Sequence, residues 1–130
     1  MNYYYLTAGI LAAMACIGHF TMGKKDFLKP VLESDIDEIP KKVMHSLFHY
    51  MSVFMVLTTI FFIGNAIGCE RDNCVINSHT TVKFIGLIYA GFAVVQIIIA
   101  ATSKIEKGIF KLFQWVFWIL IAVFAFSGTC

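Results

Sequence analysis

Four stretches of the chain are almost wholly apolar: Tyr3 to Met22, Val43 to Gly68, Thr81 to Thr102 and Ile109 to Thr129. Lysines, carboxylates and both prolines fall in or beside the gaps between them. A helix rises about 1.5 Å per residue, so roughly 20 apolar residues cover the ~30 Å hydrocarbon core of a bilayer. Each stretch reaches that length. The pattern therefore predicts an all-α, integral membrane bundle of four transmembrane helices forming one domain over residues 1–130. The second stretch is the longest and is expected to tilt or to project past the lipid.

The first gap, KKDFLKPVLESDIDEIPKK, is more structured than a linker. Phe27, Leu28, Val31, Leu32, Ile36 and Ile39 give it an apolar side, which predicts a short interfacial helix bounded by Pro30 and Pro40. Ser34 is the expected N-cap of that turn, with Asp37 three residues on. Pro40 fits the first turn of the second long helix.

Composition strengthens this picture: 59% of the 130 residues are hydrophobic and 14% charged, with a mean hydropathy of +0.80. A soluble domain of this size has too little interior to hide that much apolar surface. The opening MNYYY lacks a basic leader, so the first stretch is expected to be a retained span, not a cleaved signal peptide. The basic residues form short clusters between spans, without the aromatic-interleaved face of a nucleic-acid binder.

Charge sets the expected orientation. Of ten Lys and Arg, eight lie in the first and third gaps or at their edges: Lys24, Lys25, Lys29, Lys41, Lys42, Lys104, Lys107 and Lys111. The positive-inside rule makes those gaps cytoplasmic and leaves both termini and the middle gap outside. Tyr3, Tyr4 and Tyr5 then mark the outer interface, and Trp115 and Trp118 lie near the inner leaflet. The middle gap contains Cys69 and Cys74, and an oxidising compartment makes a disulfide between them reasonable. A structural staple is one reading of the pair, and a redox-active pair the other. His79 is expected to be solvated.

Polar side chains inside apolar helices carry the candidate chemistry, because hydrocarbon offers them no partner. His19, His45, His49, Gln96 and Gln114 are expected at one depth near the cytoplasmic face. His45 and His49 are four apart, on one helical face, and His19 can complete a three-nitrogen set. With Glu33, Asp35 or Asp37 supplying oxygen, the set suits a transition metal such as zinc, iron or manganese. A b-type haem held by His19 and His49 is an alternative. A third account needs no ligand: the imidazoles hydrogen-bond to Gln96, Gln114, Ser46 or Ser52 and hold helices together. Gly9-x-x-x-Ala13, Gly64-x-x-x-Gly68 and Gly86-x-x-x-Ala90 mark places for close helix approach.

Gly18-His19-Phe20, Gly23-Lys24-Lys25, Lys29-Pro30-Val31-Leu32-x-Ser34-Asp35, Ile39-Pro40-Lys41 and Phe48-His49-Tyr50 together resemble the pattern of a family of small, uncharacterised four-helix bacterial inner-membrane proteins. The resemblance covers the first half of the chain. It implies a bacterial inner (cytoplasmic) membrane, with His19, the proline-containing loop and His49 as the matching positions, and it implies no activity. The chain's opening and short spans are also similar to small multidrug exporters, but its first helix has no acidic residue.

Three functions fit these features. The first is an accessory or assembly subunit of a larger membrane complex, carrying a histidine-based metal site. The others are a membrane-embedded metal-dependent enzyme and a homo-oligomeric small transporter.

Overall fold

A computed structural model describes residues 1–67 and 79–129. The described residues are almost entirely helical. Helix α1 (Tyr3–Gly18) runs without a break into a π-wound segment (His19–Leu28) and then α2 (Lys29–Leu32). Helix α3 spans Glu38–Ala66, α4 His79–Thr102, α5 Gly108–Lys111 and α6 Gln114–Ser127. Among the described residues, three helices are long and apolar enough to cross a membrane: the continuous Tyr3–Leu32 rod, α3 and α4. The fourth apolar helix, α6, is shorter, at 14 residues.

The first connection departs from the sequence expectation. Pro30 does open a helical turn, but that turn is α2, the end of the first helix, and not a separate interfacial helix. A proline without an N–H fits at this junction because the widened winding ends there. Ser34 caps nothing: its hydroxyl donates back to the Val31 carbonyl at 2.7 Å. Asp37 takes the position before α3, and Pro40 falls in its first turn as expected.

Helix α1 is the hub, with its backbone close to α3 on one side and α6 on the other, while α6 in turn packs closely on α4. Helices α3 and α4 stand further apart and meet through aromatic side chains. Tyr89 lies 5.5 Å from Phe54 and 6.4 Å from Phe62, ring to ring, and Phe54 lies 5.5 Å from Phe92. Close contacts use small residues instead. A Cβ on Gly9 would come within 2.8 Å of Ile63 Cγ1 and 3.2 Å of its backbone nitrogen. One on Gly86 would come within 3.2 Å of Ala125 Cβ. Among the described residues, a Cβ on Gly64 would meet nothing within 4 Å.

The interior and exterior are graded in the sense lipid favours. Ala8, Ala12, Ala93, Ala122 and Ala125 are buried, whereas Ile17, Leu57, Ile60, Leu87 and Val94 point outward. Trp118 is buried, 5.6 Å from the Tyr89 ring and 6.2 Å from Phe92. Packing against α4 decides this, because the periodicity of a uniformly apolar helix does not say which face turns inward.

Asn2 ties one end together. Its Oδ1 accepts from the Tyr4 and Tyr5 amides, capping α1, while its Nδ2 donates to the Gly128 carbonyl at 3.0 Å. The Asn2 amide donates to Ala66 O at 2.9 Å. His79, the first residue of α4, meets the Tyr5 hydroxyl at 3.1 Å, so it is partnered as well as solvated. This end thus gathers the starts of α1 and α4 with the ends of α3 and α6. The eight lysines named above lie at the other end.

Candidate functional site

The lysine-rich end contains three of the four histidines, and the structure separates them into two arrangements. His19 opens the π-wound segment and is half-buried against α3. Its Nε2 lies 3.1 Å from the Phe48 carbonyl and 3.0 Å from Ser52 Oγ. The carbonyl can only accept, and the serine hydroxyl already donates to that same carbonyl at 3.0 Å. Nε2 therefore carries a hydrogen, shared between the two oxygens. The imidazole also stacks on Phe48, with centroids 3.9 Å apart and planes 17° from parallel. A Cβ at Gly23 would meet Phe48 and His19 Nδ1 at 3.5 and 3.6 Å, ordinary contact distances, so the stack does not require a glycine there.

His45 and His49 lie on the outward side of α3, and their Nε2 atoms are 3.0 Å apart. Phe48 stacks on His19 and meets His49 edge-on at 5.7 Å and 88°. The expected convergence of His19, His45 and His49 is not formed. Helical geometry gives the reason: His19 is level with Ser52, which shares a face with His45 but lies seven residues, about 10 Å, further along α3, while His49 is turned about 60° from Ser52.

Glu33 pairs with Lys29 at 3.7 Å, and Asp35 is exposed in the bend after α2. Among the described residues no three His, Cys, Asp or Glu side chains are placed to hold one metal ion. A haem between His19 and His49 would have to take His19 Nε2 from the Phe48 carbonyl and Ser52. The Cys69–Cys74 pairing lies outside the described residues.

Gln114 opens α6 with its Oε1 buried and without a hydrogen-bond partner among the described residues, and Gln96 is half-buried in α4. Neither is a partner of a histidine. Of the three accounts given from sequence, helix-to-helix hydrogen bonding describes His19, with Ser52 as the acceptor side chain. The π winding was not legible in the sequence.

His19→Phe keeps the ring stacked on Phe48 and removes the shared hydrogen. It is expected to lower stability by about 0.6–1.7 kcal/mol, the range of helix-to-helix hydrogen bonds in membranes. His19→Ala should cost more, since the stacking is lost as well. Unfolding curves of both variants in detergent micelles check the order.

Compared with protein-family models, curated proteins and solved structures, the chain matches none.

Proposed function

We propose that this chain is a four-span membrane protein that serves as an accessory or assembly subunit of a larger membrane complex. The observation carrying this reading is an interior filled by large side chains, with eight of the basic residues and three of the four histidines at one end of the bundle. Tyr89, Phe62, Met55, Ile121 and Val82 are fully buried between the helices. A transporter working as a single chain needs a polar path through that region. The polar groups of interest lie beyond it, on the π-wound segment and the first turns of α3, where a partner has access to them.

Support for a fourth span comes from the ends of the last segment. A Cβ on Gly108 would approach the Ala100 carbonyl at 2.8 Å, near the end of α4. Gly128 packs on Tyr5, which in turn touches His79 at the start of α4. Residues 108–128 thus cover the distance α4 covers between residues 79 and 100, about 32 Å at helical rise. The lysines at the opposite end favour a cytoplasmic location for that end, with both termini outside, and a bacterial inner membrane follows from the family resemblance.

Gentle solubilisation of native membranes followed by native mass spectrometry tests the assignment. A subunit co-purifies with foreign chains in fixed ratio. A discrete assembly of this chain alone, larger than its 14.6 kDa monomer, overturns the reading in favour of a homo-oligomeric transporter.

A second reading is favoured by one distance. With metal–nitrogen bonds of about 2.0–2.1 Å, two Nε2 atoms 3.0 Å apart subtend roughly 90–100° at a shared ion. Those are neighbouring positions of a square or octahedral site, so the pair suits a two-nitrogen chelate with open positions for water. The ring that donates its Nε2 hydrogen to the other would have to move it to Nδ1 on binding. Metal content after zinc, nickel or copper loading should fall by about one ion per chain in a His45→Ala/His49→Ala variant. Equal metal in both proteins removes this reading.

A further inference from the structure

The strongest feature left unused is the outer face of the π-wound segment. A groove of about 380 Å³ runs along it, with Lys24, Lys25 and Lys29 around Leu28 and Leu32. The winding creates this grouping. The Lys29 amide donates to the Lys24 carbonyl, an i→i+5 bond, which sets those two residues nearly one above the other. In an α-helix, at 3.6 residues per turn, positions five apart point about 140° away from each other. Lys25 and Lys29, four apart, stay on one face in either winding.

Little opposes this charge locally. Lys29 shares Glu33 at 3.7 Å, with both side chains 66% exposed, and Lys24 and Lys25 have no carboxylate partner among the described residues. The floor is apolar, with Leu28 buried and Leu32 half-buried. Thr21 also lines the groove, but its hydroxyl is committed to the Ile17 carbonyl at 2.8 Å. Further along the same helix, toward the middle of the bundle, Phe20 and Ile17 are exposed. Three ammonium groups above a hydrocarbon surface that continues toward the bundle centre match a molecule with an anionic head and an apolar tail.

We propose that this face of the first helix binds the phosphate of an anionic phospholipid at Lys24, Lys25 and Lys29, with the acyl chains lying along Phe20 and Ile17. The assignment rests on the membrane placement proposed above. A free phosphate would satisfy the lysines but would leave the apolar floor unused. The π winding then has a role: it brings Lys24 and Lys29 around one headgroup.

The test uses the full chain reconstituted in vesicles of phosphatidylglycerol and phosphatidylethanolamine, then extracted in mild detergent for native mass spectrometry. The expected result is phosphatidylglycerol retained on the chain, reduced at least tenfold in a Lys24→Gln/Lys25→Gln/Lys29→Gln variant. A Lys104→Gln/Lys107→Gln/Lys111→Gln variant removes the same charge from the same end and should retain the lipid. Equal loss in both variants overturns the site, as does equal retention of the two lipids. Displacement by inorganic phosphate at the lipid's own concentration overturns the assignment to lipid. Flotation with vesicles separates the two levels. A chain that floats without preferring phosphatidylglycerol loses only this site, whereas one that fails to float loses the membrane placement as well.

Discussion

Tyr89→Ala is expected to destabilise the bundle by about 3–5 kcal/mol, the cost of removing a large aromatic from a packed interior. Tyr89 is fully buried and fills the gap where α3 and α4 do not meet through their backbones. Its ring touches Phe54, Phe62, Phe92 and Trp118, so truncation leaves a cavity that four aromatics border and none can fill by a small shift. Tyr89→Phe isolates the hydroxyl, which lies 2.6 Å from Thr58 Oγ1. That substitution should cost only about 0.6 kcal/mol, because the Thr58 hydroxyl still has the Phe54 carbonyl at 2.9 Å to donate to. The alanine variant should unfold at markedly lower temperature in micelles, and the buried Trp118 gives a fluorescence signal at the same spot. Similar losses in the two variants would mean that the hydroxyl, and not the ring, holds α3 to α4.

Gly9→Leu is expected to be the second large loss, about 3 kcal/mol or more, at the upper end of overpacking costs. The close neighbour of Gly9 is partly the Ile63 backbone nitrogen, which cannot rotate aside as a side chain can. Helices α1 and α3 would have to separate, and the His19 contacts with Phe48 and Ser52 join the same pair of helices. Loosening at Gly9 should therefore also weaken the histidine lock. Gly64→Leu is the control: its Cβ meets nothing within 4 Å, so stability in micelles should change little. Thermal unfolding of the two variants, measured side by side, checks the contrast. A large loss at Gly64 would point to a contact between chains that the single bundle does not contain.

The histidines show how far spacing can be trusted. His45 and His49 do meet, because an i,i+4 relation within one helix is fixed by the helix itself. Whether His19 joins them depends on the axial register and rotation of two helices against each other. His19 is level with Ser52, which has nearly the rotation of His45 but lies about 10 Å further along α3. Counting residues from the ends of the spans did not resolve that difference in depth.

Apolar stretches of sufficient length, with lysines at alternate ends, determined by themselves the helical class, a surface compatible with lipid and the crowding of charge at one end. Those properties follow from hydrophobic composition summed over many residues, so no single contact has to be known. The tertiary structure decided which faces turn inward: Trp118 to the core, Gly64 outward, His19 to Ser52. It also decided that the first helix continues past His19 in a widened winding. In segments apolar on every side, hydrophobic periodicity carries almost no information, and interdigitation of particular side chains fixes rotation and register instead.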